Sequence, residues 1–534
     1  PVFGGTSAIS GGWIWVPCHP FQQALGVSDS RAEAENYLLH EAGEHYDAEH
    51  VDAFLAQAPR MLEFFTNETA VRFTPSATYP DYHPGAPGAK TAGRALVAES
   101  FDGRELGPLL AKLRPPLPEL LLLGMAIGSG DELRHFQHAT QSLDSLIYTA
   151  RRVAGHARDV LMHGRGLQLT NGNALVARLL KSTVDAGVKL WPSTPARELI
   201  MEEAAVRGAV VERDGQAARV ATRRGVVLAC GGFPRDVERR NRLYPHGEHL
   251  SPAPDTNTGD GLRLAELAGA DIDESLPNAA AWVPVSRVPR DNGETRLFPH
   301  IVDRGKPGVI AVTRKGQRFV NEGNSYHDFV QAMRTACEGE DQVCAYLITD
   351  HRAIRAYGLG FAKPRPFSLA SHLASGYLLR ADTLAALAAE AQIAPAALAT
   401  TVAEYNRHAA RGDDPQFGKG STAYNRFYGD ADHKPNPCLA PLATPPFYAV
   451  KVLAGEIGTY DGIRTDRYAR ALNAQREPIP GLYAVGNDMA SIMGGAYPGP
   501  GITLGPAMTF GWVAARHLAG GETLPDGQTR SSNS

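Results

Sequence analysis

Residues 486–511 (GNDMASIMGGAYPGPGITLGPAMTFG) concentrate the residue types that do chemistry. Their glycines let a backbone turn tightly, approach a ligand and leave N–H groups free to donate. One tyrosine, Tyr497, stands among them, and a phenol can donate a hydrogen bond or take part in proton transfer. An apolar, strand-like run precedes the stretch and a helical one follows it. This combination predicts a cofactor-binding turn, of the kind a flavin requires, with a catalytic tyrosine attached.

Other loops carry the same signature. Gly4-Gly5-Thr6-Ser7-Ala8-Ile9-Ser10-Gly11-Gly12 aligns N–H and O–H donors, suited to a phosphate or a flavin ring edge, or else forms a plain surface loop. An apolar run ends in Ala229-Cys230-Gly231-Gly232-Phe233, which either packs backbone against a ligand at the C-terminal edge of a sheet or makes a tight turn. Asn257-Thr258-Gly259-Asp260-Gly261 opens a helix whose first N–H groups suit a phosphate. Asp260 is alternatively only the cap of that helix. Residues 79–88 (YPDYHPGAPG) form an irregular loop holding two tyrosines, Tyr79 and Tyr82.

The elements that position these loops follow from periodicity. Val51, Phe54, Leu55, Ala58, Met61, Leu62 and Phe65 recur at helical spacing within residues 30–70. From Leu167 the pattern is α/β: a helix over 173–186, strands over 188–191, 199–211 and 219–229, and a helix over 262–268. Residues 278–445 differ in character, with strands over 308–313 and 343–348 and Ala-rich helices over 383–391 and 395–410. After Pro445 the first style returns, with a strand over 481–485 and a helix over 512–518. The simplest account is an α/β domain in two parts, 1–277 and 446–518, interrupted by an inserted α+β lobe, 278–445. A polar tail, 519–534, is expected to be disordered.

At 534 residues the chain can bury a large core in two or three lobes. A hydrophobic content of 43%, a charged content of 21% and a net charge of −4 describe an ordinary globular protein, with nothing basic enough for nucleic acid. Five scattered cysteines with no CxxC or Cys/His cluster support neither a disulfide framework nor a metal site, and favour a reducing, cytoplasmic setting. The longest apolar run, residues 120–127, is far short of the roughly 20 residues of a membrane helix. The chain opens on Pro1, and its first residues read as the middle of something, so a segment that would carry an export signal is not in view.

Seven motifs in order carry a resemblance: GGTSAISGG (4–12), NG-x-AL (171–175), ACGGF (229–233), NTGDG (257–261), RGKPGVIAVTRKGQRFVNE (304–322), GLYAVGN (481–487) and YPGPGITLGPAMTFG (497–511). Together they resemble the fumarate reductase/3-ketosteroid dehydrogenase flavoprotein superfamily over residues 1–518, and the last is most similar to the 3-ketosteroid Δ1-dehydrogenase branch. The resemblance implies a Rossmann-like FAD-binding domain with an inserted catalytic domain, and a dehydrogenase that introduces a C=C bond beside a ketone. It implies that Tyr497 and the Gly501 N–H bind the 3-keto oxygen as an oxyanion hole does, that Tyr326 takes the α-proton, and that hydride passes to flavin N5. A second tyrosine assists Tyr326: Tyr82, or Tyr79 if the loop is offset. The cofactor residues it implies are Gly4, Gly5, Thr6, Ser7, Ser10, Gly11, Gly12, Ala196, Ala229, Gly231, Gly232, Asn257, Gly259, Asp260, Gly486, Asn487, Gly501, Thr503 and Leu504. The expected partners are a ketosteroid-like substrate and an unidentified electron acceptor.

The chain departs from the family pattern in places. No G-x-G-x-x-G fingerprint occurs in these 534 residues, so this polypeptide alone is expected to hold FAD weakly or not at all. Asp461 stands where relatives have glycine. Gly499 replaces the serine of the sibling Δ4 branch, which favours Δ1. Two other readings stay open. One is a fumarate-reductase-like enzyme, for which Arg304, Arg314 and Arg318 would grip carboxylates; the other is an FAD-deficient fragment without activity.

Overall fold

A computed structural model describes residues 2–137, 139, 142–290 and 292–521. All but the first three residues of the tail expected to be disordered lie outside the described residues.

Three short strands, β1 (Trp13–Trp15), β2 (Phe73–Pro75) and β3 (Ala95–Ala98), form an antiparallel sheet in the order β1-β3-β2. Over it pack α1 (Arg31–Ala42) and α2 (Ala48–Glu68), which Ser30 and Asp47 start by accepting the N–H groups of Glu33 and His50. The helical stretch read over 30–70 is thus two helices, parted at Gly43. Val51, Phe54, Leu55, Ala58, Met61 and Leu62 all face the core, as their spacing predicts. Asp81 is fixed beneath this layer. It accepts from Trp15 Nε1 and Arg94 Nη1, each at 2.8 Å, and this anchors the loop that carries Tyr82.

α3 (Asn171–Asp185) leads to an antiparallel meander, β4 (Ala196–Glu202), β5 (Ala205–Arg213) and β6 (Gln216–Ala221), followed by β7 (Val226–Leu228). Residues 188–191 form no strand: Val188 and Trp191 are exposed, and among the described residues no strand pairs with them. The single strand expected over 219–229 is two strands in different sheets, broken at Arg223-Arg224-Gly225.

After α4 (Asp260–Leu267) comes a six-stranded antiparallel sheet built from β8 (Ala280–Pro289), β9 (Thr295–Pro299), β10 (Val309–Val312), β11 (Cys344–Asp350), β12 (Leu379–Ala381) and β13 (Phe447–Thr459). Its order is β9-β8-β13-β11-β10, with β12 also on β13. One of its strands, β13, lies beyond the boundary read at 445. β13 pairs with β8 on one side and β11 on the other, so this sheet runs on to Thr459. α5 (Tyr326–Ala336) packs on β8, while α6 (Leu384–Ala391) and α7 (Pro395–Ala409) cover Ile310, Val312, Ile348 and Ala449 in a second core. α8 (Ala423–Tyr428) lies beside the first lobe's tyrosine loop.

The closing segment adds β14 (Arg470–Leu472) and β15 (Pro478–Ala484). β15 runs parallel to β7, with Tyr483 opposite Val227. α9 (Leu504–Leu518) then packs on α2. It starts eight residues before the helical run read from sequence, because Pro506 falls in its first turn, where no N–H is required. One hydrophobic core runs through both lobes and includes Trp15, Phe54, Trp282, Phe329, Tyr497 and Phe510.

Candidate active site

Three chain segments bring tyrosines to one point. Tyr326 is the first residue of α5, whose start is capped by Ser325. Tyr82 sits in the Asp81-anchored loop, with its N–H on the Pro498 carbonyl at 2.9 Å. Tyr497 comes from the glycine-rich turn. The Tyr82 and Tyr326 phenol oxygens are 3.1 Å apart. The Tyr497 ring meets Tyr326 edge-on at 4.9 Å and stacks on Tyr82 at 5.4 Å. All three are buried. Tyr79, the alternative to Tyr82, is one step further out, 3.3 Å from the Tyr82 oxygen and hydrogen-bonded to the Tyr428 phenol.

Tyr424 and Tyr428 complete the cluster from α8 and were not singled out from sequence. Tyr424 lies 4.5 Å from the Tyr82 ring. Their i, i+4 spacing in AYNRFY (423–428) puts both on one helix face, which is the signal that was available. Tyr460 and His327 border the same space. His327 Nδ1 accepts the Trp282 N–H at 3.0 Å, so Nε2 carries the proton and faces the Gly495 carbonyl without a hydrogen bond of normal geometry. Burial lowers the His327 pKa to about 4, leaving the ring neutral.

Burial also governs the phenols. It raises Tyr326 and Tyr82 well above their ordinary value near 10, and each is raised further by neighbouring tyrosines, Tyr497 and Tyr326 respectively. Tyr497 is pushed up to about 12 by burial, with the Tyr326 contact pulling the other way. All three are neutral at pH 7, and a phenolate formed among them would be held chiefly by adjacent phenol O–H groups.

Gly501 adopts φ +86°, and a side chain there would run into the Trp13 carbonyl. Its C=O accepts the Trp15 N–H at 3.3 Å, and among the described residues nothing accepts from its own N–H. Beside it a shallow, partly open cleft is lined by Thr459, Tyr460, Gly486, Asn487, Ile502, Thr503 and Ala507. The N–H groups of Ile502, Thr503 and Leu504 at the start of α9 have no acceptor among the described residues, a ready anion or carbonyl site.

The N-terminal loop divides. Gly5, Thr6 and Ser7 have N–H groups that meet no acceptor among the described residues, and Gly5 faces open space. Asn257 Nδ2 joins this loop to the Gly-Gly turn, donating to Thr6 Oγ1 at 3.1 Å and to the Gly231 carbonyl at 3.2 Å. Ser10, Gly11 and Gly12 instead turn the chain onto α3: Ser10 Oγ bonds Ser7 O and the Gly12 N–H, and Gly12 packs on Asn171. Gly4 packs on Ala8 and Val176.

The Gly-Gly turn is also closer to protein than expected. The N–H groups of Cys230 and Gly232 donate to Asp488, and a side chain at Gly232 would meet Thr459 and Asn487. Ala229 leads into this turn, and Gly259, the α4 N-cap, donates to Gly232 O at 3.2 Å. Asp260 is the first residue of α4 rather than its cap and pairs locally with Arg263. Ala196 lies exposed at the start of β4, and no described contact brings it to the cleft. Asp461 is buried, which raises its carboxyl to about 7; the geometry gives no account of why it replaces glycine.

The fold and site define a flavoprotein. A family model, the FAD binding domain, matches residues 1–504, and the chain belongs to that family. It is 40% identical to 4-oxocyclohex-2-ene-1-carboxylate 5-dehydrogenase of Sinomonas cyclohexanicum, over 97% of this chain and 88% of that one. It is 35% identical to 3-oxosteroid 1-dehydrogenase of Mycobacterium tuberculosis, over 97% and 92%. The crystal structure of 3-ketosteroid Δ1-dehydrogenase from Sterolibacterium denitrificans, in complex with 1,4-androstadiene-3,17-dione, superposes with a TM-score of 0.90 at 37% identity, covering 97% of this chain and 93% of that one. The protein is an FAD-dependent oxidoreductase acting on CH–CH groups. Among the described residues no helix is long and apolar enough to cross a membrane.

Proposed function

We propose that the chain removes two hydrogens from a CH–CH pair beside a ring ketone, with a 3-ketosteroid desaturated at Δ1 as its substrate. The observation that supports this reading is the meeting of Tyr497, Tyr326 and Tyr82, from three separate segments, at one buried point, with Gly501 four residues beyond Tyr497. Tyr497 O–H and the Gly501 N–H polarise the ketone oxygen and hold the charge that develops on it as the α-proton leaves. Tyr326 in its phenolate form takes that proton and becomes the phenol, and Tyr82, within hydrogen-bond distance, donates to the phenolate oxygen beforehand. The free N–H groups of Gly5, Thr6 and Ser7, in the loop that Asn257 holds, and the cleft residues Gly486, Asn487 and Thr503 form a donor set that fits FAD. Bound there, FAD supplies the two-electron acceptor for the hydride lost from the neighbouring carbon.

A single-ring ketone is the second reading. The 40% identical relative acts on 4-oxocyclohex-2-ene-1-carboxylate by name. The fumarate-reductase-like reading has less support. Arg304 donates to the His300, Glu322 and Asn324 carbonyls, and Arg318 is paired with Glu322 and Asp414. Neither is left to grip a carboxylate. Dye-coupled turnover by FAD-loaded protein separates the three: androst-4-ene-3,17-dione is expected to be oxidised. Oxidation of 4-oxocyclohex-2-ene-1-carboxylate alone would replace the steroid reading, and reoxidation of the reduced protein by fumarate would replace both.

The pH profile follows from the same burial. A phenol whose pKa is raised is almost wholly protonated at neutral pH, so the phenolate fraction grows about tenfold per pH unit below that pKa. Turnover is therefore expected to climb from about pH 6 to about pH 9 with no plateau. A plateau near neutrality in a stopped-flow series would assign the base to another group.

A further inference from the structure

His83 directly follows Tyr82, yet the proposed reaction gives it no part. Each of its ring nitrogens faces a carboxylate. Nδ1 is 2.5 Å from Glu41 Oε2 on α1, and Nε2 is 2.7 Å from Asp328 Oδ2 on α5. A neutral imidazole has one N–H and can donate to only one of these, whereas the imidazolium donates to both. Burial pulls the His83 pKa down, but the bonds to Asp328 and Glu41 outweigh it and raise it to about 10. The clamp therefore stays charged through the neutral range.

The two carboxylates are themselves well placed. Asp328 lies two positions after Tyr326 in the first turn of α5, where its N–H bonds Ser325 Oγ at 3.2 Å. The Glu41 side chain is only 5% exposed. From α1, the Tyr37 O–H donates to the Pro498 carbonyl at 2.6 Å, and its oxygen accepts the His83 N–H at 3.3 Å. Pro498 follows Tyr497 and also holds the Tyr82 N–H. Among the described residues, His83–Asp328 is the one ion pair that joins the Tyr82 loop to the helix bearing Tyr326.

The geometry points to His83 as a positioning residue: through Asp328 it sets the separation of the Tyr82 and Tyr326 phenols, and with it the rate of proton passage between them. This rests on the roles proposed above for those two tyrosines. A displacement of about 1 Å at a reacting pair can cost about 100-fold in rate, and nothing in the clamp touches the cleft, so the loss falls on kcat rather than on substrate or flavin binding.

The test is a double-mutant cycle in the full FAD-loaded chain, with whichever of the two ketones the wild type oxidises. His83→Gln and Asp328→Asn are each expected to lower kcat by roughly 10- to 100-fold, with KM changed by less than about threefold. In a Tyr82→Phe background, adding His83→Gln should cost less than about twofold more. Multiplicative losses in that double variant would overturn the assignment. A crystal structure of the His83→Gln protein reads the same idea without a substrate. The two phenol oxygens should move beyond hydrogen-bond reach, and an unchanged 3.1 Å separation refutes the role. If the wild type oxidises neither ketone, the functional reading has failed and that separation alone decides the part played by His83.

Discussion

Tyr326→Phe is expected to lower kcat by about 10³-fold while flavin content stays at the wild-type level. The substitution removes one oxygen from a buried ring that packs edge-on against Tyr497 and Tyr82. The ring remains, so the core around Phe329 and Val330 is undisturbed. What is lost is the oxygen 3.1 Å from that of Tyr82, and with it the proposed acceptor for the α-proton. Tyr82 does not substitute, since in the variant its oxygen is still bonded to the Tyr79 phenol at 3.3 Å. The measurement is single-turnover flavin reduction, which sees the chemical step without product release. A rate within about tenfold of wild type would return Tyr326 to the status of a satisfied core aromatic. The alternative outcome, lost flavin, is disfavoured by distance along the chain: the cleft residues lie at the end of β13, between β15 and α9, and in the first turns of α9, not on α5.

Much of this arrangement was legible in the residues, for physical reasons. Tyr497 among glycines is legible because a turn that must bare its N–H groups tolerates few side chains. Arg223-Arg224-Gly225 and the exposed Val188 were not legible, because an apolar run does not say whether a partner strand exists to pair with it. That the inserted lobe's sheet takes in a strand beyond 445 was hidden for a related reason. β13 is buried along nearly its whole length, so it reads like the first lobe's strands although it is the spine of the inserted sheet. The Gly231-Gly232 turn shows a subtler limit. Glycine was required there, but by the backbone's approach to Thr459, Asn487 and Asp488 rather than by an open ligand face. Tyr424, Tyr428 and His83 join the site only through tertiary contacts between lobes, and no local pattern records those contacts.

Tyr497→Phe tests the other half of the chemistry, and its expected cost is about 10²- to 10³-fold in kcat, the usual effect of removing one oxyanion donor. The ketone in the ground state needs little from this donor, so KM should change much less than kcat. The Gly501 N–H remains, which is why the loss stops short of abolition. Gly501→Ala is the poorer test: at φ +86° its methyl group would press on the Trp13 carbonyl, and any loss of activity would mix strain with lost polarisation. The two tyrosines can also be told apart without turnover. A ring phenol mimics the enolate, so its binding should weaken by about the same factor as kcat in Tyr497→Phe. In Tyr326→Phe the same ligand should bind nearly as in wild type, because Tyr326 meets the carbon that loses the proton and not the oxygen that gains the charge. Equal weakening in both variants would mean that the phenols act as one hydrogen-bonded unit, and the division of labour between Tyr497 and Tyr326 would have to be given up.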